Sequence, residues 1–183
     1  MGANMILSIG ALLIFGTFLS SSNRLMTGNT QIAEQNEYYI SAVSLAQAII
    51  DEAKTKAFDQ KTDTSVVALS DSLTNPVKLG PEGTEATGLP KPDTLTSAAP
   101  YTATSRGYRS TYKFNDVDDY DKYTRLVNTP RAEKFSISVK VNYANTIDPD
   151  FLTMTRTFCK RMIVTVSSPY LANNVVLSYA FTY

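Results

Sequence analysis

MILSIGALLIFGTFL, residues Met5 to Leu19, contains no charged side chain and only scattered small polar ones. A helix built from it is apolar on every side and needs lipid, or other helices of its own kind, around it. From Ile32 the pattern becomes one-sided. Ile32, Tyr39, Val43, Ala46, Ile50, Ala53 and Ala57 recur at helical spacing, with Tyr38, Ala42, Leu45 and Ile49 beside them, a stripe suited to packing on a folded domain. No proline precedes Pro76, so both halves read as one helix from Met5 to Phe58, ~80 Å long at the usual helical rise. Between them lies LMTGNT, Leu25 to Thr30, where Thr27, Gly28 and Asn29 are poor helix formers. Two readings stand there: a helix-melting region or bend, and an ordinary exposed turn that tolerates one glycine.

A cleaved signal peptide would carry a basic segment ahead of its apolar core, and none precedes Met5. Ala11, Gly16 and Ser20 to Ser22 only loosely imitate a cleavage site, so a permanent anchor is the expectation. Met5 to Leu19 is short for a span of about 20 residues, and the uncharged Met1 to Asn4 and Ser20 to Asn23 extend it. Arg24 is the first charge and, standing just after the apolar run, mildly opposes an outward-facing C-terminal domain.

Composition narrows the chemistry. The chain has 183 residues, a formal net charge of zero, no histidine and one cysteine. His-based catalysis and His zinc sites are therefore absent, and neither an internal disulfide nor a cysteine zinc site can form. Neutral charge gives no general attraction to nucleic acid or anionic membrane. Cys159 falls in an expected strand and reads as an inert, packed thiol. No constellation of residues assembles an active site, and an enzyme is not expected.

Residues 59–107 form a connector rich in Thr, Ser, Asp and Ala, with Pro76, Pro81, Pro90, Pro92 and Pro100. Within it only Ser65 to Leu73 is apolar enough for a short helix or strand. A loop this long is commonly functional or poorly ordered. From residue 108 the period changes to two. Tyr108, Ser110, Tyr112 and Phe114 read as an edge-like strand, and Phe135, Ile137, Val139, Val141 and Tyr143 as the clearest one. A third strand is expected over Thr155 to Ser167, with Phe158, Met162, Val164 and Val166 inward, and a fourth alternates from Val175 to Tyr183. The expected fold is α+β: a long helix, apolar then amphipathic, packed on a four-stranded antiparallel sheet. Its divisions are an N-terminal anchor and helix (1–58), a connector (59–107) and a sheet head (108–183).

Two patches invite ligands. Asn115, Asp116, Asp118, Asp119 and Asp121 crowd oxygen ligands together, which suits calcium, although the EF-hand glycine and terminal acid are missing. The competing readings are a solvated acidic turn and a helix-capping cluster. Arg106, Tyr108, Arg109, Tyr112 and Lys113 interleave bases with aromatics, a candidate surface for single-stranded nucleic acid or a partner. Neutral overall charge makes nucleic acid unlikely.

SLAQAIIDEAKTKAFDQ (Ser44 to Gln60) resembles the helix of minor pilins and pseudopilins of the type IV filament superfamily, particularly MshD-like and PilV-like prepilins. The matching residues are Leu45, Ala46, Gln47, Ile49, Ile50, Asp51, Glu52, Phe58 and Asp59. FNDVDDYDKY (Phe114 to Tyr123) is similar to an FxDVDDYxG segment of the MshD-like members, with Lys122 where glycine is frequent. RMIVTVSSP followed by VVLSYAF resembles the closing strand pair of pseudopilins. Prepilins also carry a basic leader ending in glycine and a glutamate at the fifth mature position. Here Gly2 could be a leader glycine, but Leu7 or Met5 occupies that place and the first acid is Glu34.

The resemblance implies a structural subunit of a type IV pilus-like or pseudopilus filament. It would be anchored in the inner membrane before assembly, then incorporated in an extracellular or periplasmic filament. Its partners would be copies of itself or other pilin-like subunits. Met5, Ser8, Gly10, Ala11, Ile14, Phe15, Gly16 and Phe18 would pack the filament core, the small residues permitting close helix approach. No cofactor is expected beyond the calcium that some pseudopilins bind. The alternatives are a monomeric membrane-anchored binding module outside the cytoplasm and a secreted protein with a cleaved signal.

Overall fold

The computed structural model describes residues 2–89, 91–95, 107–130 and 134–183. Pro90, Pro100 and Arg106, singled out above, lie outside them. Contacts divide the chain into two units, Met1–Tyr38 and Tyr39–Tyr183. Helix α1 (Gly2–Ala53) supplies the described part of the first and enters the second. It is helical without interruption through Thr27, Gly28 and Asn29. There the Thr27 and Thr30 hydroxyls donate back to the carbonyls of Asn23 and Met26, at 2.9 and 3.0 Å, so these residues spend their polar groups inside the helix.

The second unit is the folded head. It begins with the last turns of α1, whose buried residues are Ala42, Ala46, Ile49, Ile50 and Ala53. The small alanines let the helix backbone come close to what it covers, while Val43 and Ile32 of the expected stripe are exposed. The helix stops at Ala53 rather than Phe58. Beyond it the backbone of Ala57 bonds to a distant segment: its N–H donates to the Asn115 carbonyl at 2.9 Å, and its carbonyl accepts from Val117 N–H at 3.0 Å. Tertiary hydrogen bonds replace further helical turns.

Among the described residues the sheet has five strands in the order β1-β2-β3-β4-β5. They are β1 (Asp93–Thr94), β2 (Thr124–Val127), β3 (Phe135–Tyr143), β4 (Cys159–Ser167) and β5 (Val175–Thr182). β1 runs parallel to β2 and the other pairs are antiparallel, so the sheet is mixed, not four-stranded and antiparallel. β3 alternates as expected: Phe135, Ile137, Val139, Val141 and Tyr143 are buried and Ser136, Ser138 and Lys140 exposed. β4 starts at Cys159, later than Thr155, with Met162, Val164 and Val166 inward and Phe158 half-buried.

The alternation around Tyr108 to Phe114 does not make a strand. Arg109–Lys113 forms a short helix, α4, whose one buried residue is Ser110. Among its described residues the connector holds two further short helices, α2 (Gln60–Thr64) and α3 (Gly83–Ala86), and 3-10 turns at Ser70–Ser72 and Pro76–Lys78. The expected segment Ser65 to Leu73 reduces to the first of those turns. Asp59 and Glu82 begin α2 and α3 with reciprocal capping bonds, which satisfy N–H groups that a helix start leaves open.

Candidate functional site

Two regions have properties beyond packing. The first is the apolar stretch of α1. An 18-residue window in this helix is apolar enough to cross a membrane, and none of it is buried in the protein. Met5, Ile14, Phe15 and Phe18 are all more than half exposed. The few hydroxyls there turn inward on their own backbone, Ser8 to the Asn4 carbonyl at 2.9 Å and Thr17 to that of Ile14 at 2.8 Å. No polar group of these two side chains is left seeking water, as an apolar surrounding requires. A Cβ added at Gly10, Gly16 or Gly28 would meet nothing within 4 Å. Those glycines, with Ala11, leave the helix surface low and open.

The second region lies in the head, where charged side chains are buried in two networks. Lys160, wholly buried in β4, donates to Asp59 Oδ2 and Asp118 Oδ1, both at 2.7 Å, and to the Phe58 carbonyl at 2.9 Å. Asp59 also accepts from Tyr143 Oη at 3.1 Å, Thr74 Oγ1 at 3.0 Å and Lys61 N–H at 3.0 Å. Burial pushes the Asp59 pKa up, but the charge and hydrogen bond of Lys160 outweigh it and hold it below its ordinary value. Phe58-Asp59 and the segment containing Asp118 thus meet through one lysine. Lys160 shares the inward parity of Met162, Val164 and Val166, the one signal in the sequence that could have found it.

The other network closes around Arg125. Its Nη2 donates to Glu52 Oε2 at 2.8 Å and Ser110 Oγ at 2.7 Å, and its Nε to Tyr123 Oη at 2.8 Å. Tyr120 Oη donates to Glu52 Oε1 at 2.8 Å, and Tyr123 Oη to Asp93 Oδ2 at 2.8 Å. Glu52 ties the end of α1 to β2 and α4. The Tyr108 ring lies 4.0 Å from the Arg125 guanidinium carbon, while Arg109 bonds the Gly88 carbonyl and Lys113 the carbonyls of Thr84 and Thr87. Among the described residues of the basic and aromatic patch, these three are thus turned toward the protein, and Tyr112 is exposed.

The acidic residues are not a solvated turn. Asp116, Asp118, Asp119 and Asp121 are all buried, and they point to different partners. Asp118 accepts from Lys160, and Asp121 Oδ1 from Val141 N–H at 3.1 Å. Asp116 Oδ1 accepts from Asp119 N–H at 3.1 Å, while Asp119 Oδ2 accepts from the N–H groups of Asn115 and Asp116 at 2.9 and 3.2 Å. Asp119 is brought instead to Glu82 and Glu85: one carboxylate oxygen from each of the three lies within 4.8 Å of the others. Desolvation, followed by the charge and hydrogen bond of Asp118, raises the Asp116 pKa to about 10; desolvation, opposed by the two N–H groups, raises that of Asp119 to about 7. Glu82 is raised too, by burial and then by the charge of Asp118.

Cys159 is buried with a free thiol, and burial raises its pKa. That favours the unreactive protonated form. The chain matches no family model, no curated protein and no solved structure.

Proposed function

We propose that this chain is a structural filament subunit of the type IV pilin kind, minor pilin or pseudopilin in type, whose work is assembly. The observation that carries the proposal is one helix with two surfaces: uncharged and exposed over Met5 to Leu19, and buried along one stripe, Ala42, Ala46, Ile49, Ile50 and Ala53, in an α+β head. The first surface needs a complement that its own unit does not supply. In a bilayer lipid would cover it; in a filament neighbouring copies would. Lipid is as apolar as leucine, so close packing has to favour the bundle, and Ser8, Gly10, Ala11 and Gly16 provide low points for it. Nucleic acid binding and catalysis have no part in this reading, and the buried charge networks serve the stability of the head.

Cryo-electron microscopy of filaments sheared from native cells, with subunits identified by mass, tests the proposal. The expected result is an ordered filament containing this chain, with Met5 to Leu19 at its centre. Recovery of the chain only from membrane fractions, as a dispersed monomer in detergent, would replace the filament with a membrane-anchored binding module. A mature N-terminus beyond about Ser20 would make it a secreted protein.

A further inference from the structure

Lys160 is placed for more than an ion pair. Its ammonium is wholly buried between two carboxyl groups, 2.7 Å from Asp59 Oδ2 and 2.7 Å from Asp118 Oδ1. At ordinary bond angles a contact of that length leaves the nitrogen roughly 3–3.5 Å from the carboxyl carbon, the separation of a near-attack pair. The rings of Phe58 and Tyr143 stand beside the amine, their centroids 4.8 and 5.2 Å from Nζ. Burying opposite charges carries a desolvation cost that their attraction only partly offsets. Joining the amine and a carboxyl as an amide removes both charges at once, and a closed apolar surrounding gives the reverse reaction no water to use.

The two aspartates differ in what else holds them. Besides Lys160, Asp59 accepts from Lys61 N–H, Thr74 N–H, Thr74 Oγ1 and Tyr143 Oη. So many donors keep it a carboxylate, a poor electrophile and a ready proton acceptor. Asp118 uses Oδ1 for Lys160, and no donor group reaches its Oδ2 or the Oδ2 of Asp116. Both carboxyls are buried and within hydrogen-bonding reach of each other, so one proton between them satisfies both oxygens. That proton makes Asp118 the carboxyl open to attack.

We propose that Lys160 Nζ and Asp118 Cγ condense into an intramolecular isopeptide bond, with Asp116 as proton donor and Asp59 as proton acceptor. Lys160 passes one ammonium proton to Asp59, and its free amine attacks Asp118 Cγ, protonated on Oδ2 by Asp116. The N–C bond forms and the nitrogen gives a second proton to Asp116. The C–Oδ2 bond then breaks, and Oδ2 leaves as water with the proton that Asp59 had taken. Asp59 and Asp116 end as they began, the nitrogen keeps one proton, and no co-reactant is consumed. The bond ties the 3-10 turn Asp118–Tyr120 to β4, a covalent link in a chain whose single cysteine cannot make an internal disulfide. It is independent of the filament reading.

Peptide mapping by mass spectrometry tests the bond on the full chain, purified in detergent, denatured and digested with trypsin. Trypsin does not cut after an acylated lysine, so residues 114–122 should appear joined to residues 157–161 with the loss of one water, and fragmentation should place the link at Asp118. Lys160→Met and Asp118→Ala should each release residues 114–122 as a free peptide. Asp116→Asn can still donate a hydrogen bond to Oδ2 but cannot transfer the proton. Linking in this variant, timed from synthesis by pulse labelling, should slow on the order of 100-fold, with a thermal melt showing that it is folded. The parent digest decides the bond whether or not a variant folds. Residues 114–122 and 157–160 recovered only as separate peptides from the parent would overturn the proposal. So would a link to Asp59 instead of Asp118, or linking at the parental rate in Asp116→Asn.

Discussion

The two units handle polarity in opposite ways. In the apolar part of α1 the side chains face outward uncovered, and the hydroxyls of Ser8 and Thr17 are folded back on their own helix. In the head, Lys160, Arg125, Asp59 and Asp118 are taken out of water and matched to one another. The first arrangement looks for its complement outside the unit, and the second finds it within. Substitutions in the two regions should therefore register in different measurements. Damage to the head changes folding, whereas damage to the apolar helix changes what surrounds it.

The largest expected effect is at Lys160. Lys160→Met keeps most of the volume but leaves Asp59 and Asp118 buried without their cation. Breaking a buried pair in this way costs about 3–5 kcal/mol, a fall in melting midpoint on the order of 10 °C for a domain of this size. The pH dependence gives a sharper reading. Asp59 has a folded pKa below its ordinary 3.8, so its ionisation contributes stability above pH 3.8 and loses it as pH falls through the folded value. In Lys160→Met the charge and hydrogen bond that outweigh burial are gone, Asp59 titrates higher, and this acid-side contribution disappears. Chemical denaturation between pH 2.5 and 6 measures it. An unchanged stability would mean that water, not Lys160, satisfies the two aspartates.

A smaller effect is expected at the glycine of α1. The helix continues through Gly28 with open space where a Cβ would go, so Gly28→Ala removes only backbone freedom, worth about 1 kcal/mol. Amide exchange in Leu25 to Thr30 should slow by no more than about fivefold. Rapid exchange in the parent and a far larger slowing in the variant would show that this segment melts in solution and that the bend reading holds.

The regions also differ in how readily the sequence disclosed them. Alternation in β3 was legible because one face is packed and the other wet, so each residue from Phe135 to Tyr143 reports its own side. The helix halves were legible for the same local reason. Around Tyr108 the same alternation misled. Ser110 is held by Asp93, Glu52 and Arg125, contacts distant in the chain, and these fix a short helix where the local period suggests a strand. β1 is two residues long and exists because Asp93 pairs with Arg125, which no local pattern announces. The acidic cluster was visible as composition, but not its burial, nor that Asp119 faces Glu82 and Glu85 across a connector rich in proline and glycine. Lys160 was hidden by its type, since a charge in an inward register reads as an interruption until its two carboxylates are located.

The comparison is put to its strongest test by the substitution with the least expected effect on the fold. Gly10→Leu and Gly16→Leu place a bulky apolar side chain where nothing lies within 4 Å, on a helix already apolar all round. Leucine favours helix over glycine and is as compatible with lipid as its neighbours. The melting midpoint of the head should therefore stay within about 1 °C of the parent, with membrane insertion unchanged. On the filament proposal, what the variants lose is the low surface that would let another helix approach, so filament yield should drop several-fold when sheared material is quantified by immunoblot against equal cellular protein. Normal yield from both variants would mean that Gly10 and Gly16 are not contact points between helices. A shifted melt of the head would mean that the two regions are energetically joined, and the division drawn here between a self-sufficient unit and one completed by its surroundings would fail.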